Sequence, residues 1–401
     1  MKNTFIIGIT ATNLSLFSCK QEPVIMTSTP IMSSTPTPNI EVTDNPTNTS
    51  TTTTNSKIQL AILLDTSSSM NGLIEQAKNQ LWKIVNQLAK AKNTNNEDPN
   101  IEIALYQYGN NELSALNDYI EIQSGFTGEL DEISEKLFNL STNGGEEYCG
   151  SVIQTSLNEL QWSNQPNDLQ LIFIAGNEPF NQGNVSYQNA INKAINNNVI
   201  VNTIFCGSYD SGVSGYWKDA AILGKGKYMN IDQDAKSVHI NSPYDQEILQ
   251  LNTKLNNTYI PYGQNGRSKK EKQINQDINA NSYGMSNAVK RTLSKGSKVY
   301  KNSKWDLVDA VKEKEVEINK VNKAHLPEEI KDFTDVELQD YVTQKTNERD
   351  SIKKSLGDLK KKRTDFVNQE KQKRNATQNL DDAIINAITQ QAQNKGYSFT
   401  E

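Results

Sequence analysis

The chain has 401 residues, 35% of them hydrophobic, and a formal net charge of −6. That length accommodates one large domain and a smaller second region, and the low apolar fraction means that part of the chain is linker or exposed helix. The near-balanced charge argues against a general nucleic-acid binder, and two histidines far apart in sequence, His239 and His325, leave little material for histidine-based zinc or triad chemistry.

Met1 and Lys2 open a short basic segment, followed by the mostly apolar or small stretch "TFIIGITATNLSLF" (4–17), too short to span a bilayer comfortably. "LFSC", Leu16 to Cys19, resembles the bacterial lipoprotein signal, although Phe17 is bulkier than usual at its position. The resemblance implies a signal over residues 1–19, with acyl chains on Cys19 holding the protein on a membrane of the bacterial cell envelope, outer or periplasm-facing. An ordinary secretory signal with an incidental cysteine is the other reading. Residues 20–56, rich in Thr, Ser, Pro and Asn, carry no apolar period and read as a flexible tether.

The middle of the chain alternates strand and helix. "IQLAILLD" (58–65) reads as a buried strand, and residues 73–91 have apolar positions at helical spacing. "IEIALYQYG" (101–109) and "YIEIQ" (119–123) read as strands, 129–140 as an amphipathic helix, and a further helix begins near Tyr148. "LQLIFIAG" (169–176) and "VIVNTIFCG" (199–207) are near-continuous apolar strands with a helix, 187–198, between them. Residues 217–232 give a short helix, a turn and a last strand, and 245–260 a closing helix. This alternation predicts a doubly wound, mostly parallel sheet covered by helices on both faces, with ligands at the carboxyl ends of its strands. Once Cys19 is set aside, Cys149 and Cys206 remain; an even pair in an oxidising compartment suggests a disulfide, and two buried free thiols are the alternative.

At the end of the first strand stands "LLDTSSSMNG" (63–72), one carboxylate followed by four hydroxyl residues. Taken alone, it is a polar turn capping a helix or the floor of a metal site. In the context of the alternating chain it resembles the von Willebrand factor A-type domain over residues 57–260, with Asp65, Ser67 and Ser69 matching that family's D-x-S-x-S. The resemblance implies a metal-ion-dependent adhesion site, in which hard oxygen ligands hold Mg²⁺, or Mn²⁺ or Ca²⁺, and the ion recruits an acidic side chain of a protein partner. Two ligand positions depart from the family. Where it has Thr after a Gly pair, this chain has Glu146 and Glu147 after Gly144 and Gly145; where it has Asp, Gly176 stands, followed by Asn177 and Glu178. Carboxylates relocated to Glu146 and Glu178 rebuild the site in one reading, tightening metal binding while lowering the ion's pull on a partner acid. In the other, the site is vestigial, Asp65 caps the helix, and the glutamate pair is a solvated helix start. In this fold both cysteines belong near the carboxyl edge of the sheet.

Residues 261–401 read as a helical extension. Residues 272–295 and 304–321 look helical, Pro327 breaks the chain, and Thr334 to Glu337 forms a capping box opening a long helix. Its seam runs Leu338, Val342, Ile352, Leu356, Leu359, Phe366, interrupted by Lys345, Arg349 and Arg363, which predicts a helical hairpin or short coiled coil. A final amphipathic helix follows. The layout resembles exported bacterial A-type proteins with such an extension, in "GNEPFNQG", "NTIFCG", "NTYIPYG", "QDINA" and "WDLVDA". Two functions are expected from this: a membrane-tethered, non-enzymatic binding module using the metal face, or a structural envelope protein whose C-terminal helices bind the partner.

Overall fold

The structure, a computed structural model, describes residues 56–231, 240–373 and 380–399. The proposed lipidation residue Cys19, the tether apart from Ser56, and His239 lie outside the described residues.

In chain order the elements are β1 (Lys57–Asp65), α1 (Asn71–Leu88), β2 (Ala91–Lys92), β3 (Asn100–Tyr108), β4 (Ile120–Thr127), α2 (Leu130–Phe138), α3 (Cys149–Glu159), β5 (Leu169–Gly176), α4 (Tyr187–Asn196) and β6 (Val199–Cys206). Then come α5 (Tyr209–Ser214), α6 (Trp217–Leu223), β7 (Lys225–Ile231), α7 (Asp245–Asn256), α8 (Gly266–Ser282), α9 (Met285–Lys295), α10 (Leu307–Lys312), α11 (Asp335–Lys373), α12 (Leu380–Asn394) and β8 (Ser398–Phe399). The main sheet has the order β4-β3-β1-β5-β6-β7, parallel except for β4. This is the doubly wound architecture that the strand–helix alternation predicts.

Both faces of the sheet are covered at its centre, which is why β1, β5 and β6 are mostly apolar, whereas the edge strands β4 and β7 are partly exposed and more polar. On β1, Ile58, Leu60 and Leu64 join one core with side chains of α1, α2 and α12; Ala61 and Leu63 join the other with α3, α4 and α6. Each fully buried aliphatic side chain contributes ~1.5–3 kcal/mol of transfer free energy, so the register of this strand is fixed from both sides.

The residues after 260 pack on this layer. Ile384, Ile388 and Ala392, four apart on α12, enter the first core, and α12 lies on α1 and β7. Inside the core, Asn202 of β6 and Gln391 of α12 exchange amide hydrogen bonds, 3.1 and 2.7 Å, both residues buried. Tyr397 then donates to the Lys57 carbonyl (3.0 Å), and β8 pairs antiparallel with β2. The apolar positions of α11 contact α7, α9 and α10. Its capping box forms as read: Thr334 N donates to Glu337 (2.8 Å) and Glu337 N to the Thr334 hydroxyl (3.2 Å).

Two expected helices are shorter than their patterns. The segment 272–295 lies in α8 and α9, separated at residues 283–284. Of 304–321, only Leu307–Lys312 is α-helical; Asp306 accepts from Asp309 N and starts it, and Lys314, at φ +61, ends it.

Arg349, a break in the apolar seam by sequence, is a buried clasp. Its guanidinium donates to Asp306 (2.6 Å), Asp309 (2.8 Å) and the Thr258 carbonyl (2.6 Å), and lies 4.1 Å from the Tyr259 ring centroid. Arg363 reaches Asp245 at the start of α7 (2.8 Å), and Arg291 joins Asp131 to Asp277 (2.7 and 2.6 Å). Replacing one partner strands a buried charge. Arg349→Ala is expected to destabilise by about 3–5 kcal/mol in urea unfolding, without rescue by Arg349→Lys, whose point charge cannot span both aspartates.

Candidate functional site

The site begins where β1 ends. β1 lies between β3 and β5, so its last residue, Asp65, emerges at the centre of the carboxyl rim, fully buried. Oδ1 accepts from Ser67 N (2.7 Å), whereas Oδ2 is buried with no hydrogen-bond partner. The chain turns through Ser68–Met70 into α1, whose amino end favours anions. That turn sets the Ser67 and Ser69 hydroxyls 3.0 Å apart, and Ser69 donates to Asn177 Oδ1 (2.8 Å). Asp65, Ser67 and Ser69 are therefore brought together as the sequence pattern predicts.

The second wall is the loop between α2 and α3. Asn143 N donates to the Thr66 carbonyl (3.0 Å) and Asn111 N to the Gly144 carbonyl (2.7 Å). Gly145 is pressed on the backbone of Gly109; a Cβ there would lie 2.0 Å from the Gly109 oxygen, so only glycine allows this approach. The loop delivers Glu147, buried, to the Ser67 side chain, and Glu147 and Asp65 both line the space over Gly109. Glu146, the residue favoured by sequence reasoning, is exposed and lies beside Tyr148. Adjacent residues of an extended loop face opposite ways. Nothing local in the sequence distinguishes the two glutamates.

The third wall is the end of β5. A Cβ on Gly176 would lie 2.7 Å from the Tyr108 hydroxyl and 3.2 Å from Asp65 Oδ2. Tyr108, fully buried, donates to the Ala175 carbonyl (2.9 Å) and occupies the space that a larger residue at 176 would need. Tyr108 is a site residue that the sequence reading missed. Polar groups come instead from the next two residues. Asn177 accepts from Ser69, and the half-buried Glu178 accepts at 3.4 Å from Asn177 and from Gln182, while its backbone carbonyl holds Trp217 Nε1 (2.8 Å).

Burial, with the charges of Glu147 and Glu178 added, pushes the Asp65 carboxyl up to about 8 against the pull of the Ser67 N–H. Burial and the charges of Glu178 and Glu146 push Glu147 up to about 7, opposed by the Ser67 hydroxyl. These residues fit a hard divalent cation. The donors are oxygens, one buried carboxylate oxygen lacks a partner, and the 3.0 Å between the serine hydroxyls matches neighbouring oxygens around an ion at about 2.0–2.1 Å. Among the described residues, no three of His, Cys, Asp and Glu by themselves form a metal-holding group.

The expected disulfide is corrected. Cys149 and Cys206 are free, buried thiols. Cys206 shares a face of β6 with Ile204 in the first core, whereas Cys149 on α3 belongs to the second, so the sheet lies between them. The Cys149 thiol is instead 3.7 Å from the Tyr108 hydroxyl.

Two outcomes follow from this geometry. In chelator, the folded state keeps a proton on Asp65 up to about pH 8, while the unfolded carboxyl loses it near 3.8. The folded state binds more protons in that window, so this group's contribution to stability falls as pH rises through it. The melting temperature of Asp65→Asn relative to the unsubstituted protein should therefore climb by several degrees between pH 5 and pH 8, read by thermal shift. Gly176→Ala should destabilise the protein by about 1–3 kcal/mol through its clash with Tyr108, and Tyr108→Phe should recover part of that loss in denaturant titrations of the double variant.

Three solved structures share partial likeness. Proximal thread matrix protein 1 from the mussel byssus is 14% identical, covering 45% of this chain and 42% of its own, with a TM-score of 0.34. A form of the same protein with zinc in its metal-ion-dependent adhesion motif is 13% identical over 45% and 43%, TM-score 0.34. The conserved hypothetical protein BatB from Bacteroides thetaiotaomicron is 17% identical over 44% and 90%, also with a TM-score of 0.34. This chain thus spans less than half the length of the mussel protein. No curated protein matches it. The sequence model of the von Willebrand factor type A domain matches residues 59–213, the segment that carries β1, the Asp65–Ser69 turn and the walls around it, and this part of the chain is a von Willebrand factor type A domain.

Proposed function

We propose that the protein is a non-enzymatic binding module whose carboxyl rim holds a divalent cation and engages a protein partner there. Asp65, Ser67 and Ser69 would hold the ion, with Glu147 in the place expected for Glu146, and Glu178 adding charge from the β5 loop. Mg²⁺, Mn²⁺ and Ca²⁺ all suit an all-oxygen donor set. A bound cation would supply a charged docking point at the rim, and the chain's own residues shape what reaches it. The observation that carries this reading is the buried, unpartnered Asp65 Oδ2 beside the buried Glu147. Export and anchoring through Cys19 to the cell envelope belong to the same proposal, supported by the "LFSC" signal and the polar stretch after it.

A second reading assigns partner binding to α11. Of its 39 residues only Leu338, Val342, Arg349, Leu356 and Leu359 are buried, which leaves a long polar face.

Isothermal titration of the chain with Mn²⁺ or Mg²⁺ should give one site, a melting temperature raised by several degrees, and release of protons at pH 7 as Asp65 and Glu147 ionise. Asp65→Asn should abolish all three. Unchanged titration curves in that variant would remove the cation from the reading, and partner capture lost only when exposed charges on α11 are reversed would favour the second.

A further inference from the structure

We propose that Asn143, in the loop between α2 and α3, is a site of self-modification: the next backbone nitrogen displaces its side-chain amide, and the isoaspartate that results loosens the loop. The only co-reactant is water.

Three Asn-Gly pairs occur in the chain: Asn71-Gly72, Asn143-Gly144 and Asn265-Gly266. Asparagine is a thermolabile residue, and a following glycine leaves the attacking nitrogen uncrowded. By sequence the three pairs are alike; their surroundings differ. Asn71 is the first residue of α1, with helical backbone angles (φ −50, ψ −48), and its Oδ1 accepts from the Thr142 hydroxyl. Gly266 opens α8, and its N–H donates to the Gly263 carbonyl (3.2 Å). Ring closure at either pair requires the backbone to leave a helical turn. Asn143 is exposed and lies outside every helix and strand. There the Gly144 N–H donates to Asn143 Oδ1 (3.0 Å), which brings the attacking nitrogen to the edge of the amide it attacks.

Hydroxide takes the proton from Gly144 N. That nitrogen bonds to Asn143 Cγ, the Cγ–Nδ2 bond breaks, and the leaving nitrogen takes protons from water and departs as ammonia. A five-membered imide remains. Water opens it at either carbonyl: cleavage at Cγ leaves an ordinary aspartate, and cleavage at the backbone carbonyl leaves isoaspartate, whose main chain runs through Cβ and Cγ. Both products add one negative charge.

Two hydrogen bonds bracket the altered link. Asn143 N donates to the Thr66 carbonyl (3.0 Å), and the Gly144 carbonyl accepts from Asn111 N (2.7 Å). Isoaspartate inserts an extra backbone carbon between these anchors, while Gly145 has no room to shift against Gly109. One anchor must give, and with it the hold on the segment that delivers Glu147. In the aspartate product, a carboxylate oxygen replaces the Asn143 Nδ2 that lies 3.4 Å from Glu112 Oε1, so like charges meet.

The test holds the full chain in chelator at mildly alkaline pH in heavy-oxygen water. Peptide maps are read by mass spectrometry, with isoaspartate assigned by electron-transfer fragmentation. Asn143 should convert several-fold faster than Asn71 and Asn265 in the folded protein, and the three rates should converge in urea. Gly144→Ala should slow the conversion roughly tenfold, because a Cβ crowds the nitrogen and narrows its backbone freedom. That Cβ would lie 3.5 Å from Asn111 Nδ2 and 3.6 Å from Ser68 Oγ, ordinary contacts that leave the fold intact. The converted protein, separated by anion exchange on its added charge, should melt several degrees below the starting material. Conversion at Asn143 no faster than at the other pairs, an excess that persists in urea, or a converted fraction that melts with the starting protein overturns the inference. With chelator present throughout, none of these results depends on the cation site, which the Mg²⁺ titration of unconverted protein tests separately.

Discussion

Burial of β1 on both faces is the constraint from which the rest of the molecule follows. A strand with apolar side chains on both faces can only be central in a covered sheet, and its carboxyl end then opens at the middle of the rim. Asp65 occupies that end. Its position is a consequence of packing one to seven residues upstream, so the carboxylate is fixed in place while being denied both water and a full set of hydrogen bonds. Such a group is unfavourable to folding alone. It makes sense physically only where something positive complements it.

Around this point each wall is made by a different local device. The serines come from a tight turn into α1, Glu147 from a loop that a glycine lets approach the backbone of β3's end, and Asn177 and Glu178 from the residues just beyond β5. Tyr108 explains why the third wall is built from residues further along the chain: its hydroxyl fills the space at Gly176. The helices after residue 260 are fastened differently, by buried arginines on aspartates. Asp277, Asp306 and Asp309 stand in "QDINA" and "WDLVDA", and Thr258 and Tyr259 in "NTYIPYG", so these motifs carry the clasps rather than the site.

What was legible in the sequence was whatever depends on local pattern. The strands read at 58–65, 101–109, 169–176 and 199–207 match β1, β3, β5 and β6 to within a residue, because continuous apolar runs leave few alternatives. The Asp65–Ser69 turn and the Thr334–Glu337 cap were equally local. What was not legible depends on direction or on distant partners. Composition at a Gly-Gly-Glu-Glu stretch cannot say which glutamate turns inward. Arg349 looked like a flaw in a seam because its aspartates lie about 40 positions away. The cysteine pair looked like a bridge because sequence does not show that a sheet separates the two thiols.

The amide pair between Asn202 and Gln391, and the Tyr397 hydroxyl on the Lys57 carbonyl, bear on how the molecule is assembled in time. The latter contact joins positions 340 apart. A ribosome releases β1 long before α12, so the part of the sheet that α12 covers, beside α1 and β7, stays open until nearly the whole described chain has been synthesised. Long-range closure of this kind makes folding slow and leaves apolar strands open to proteases and chaperones in the interval.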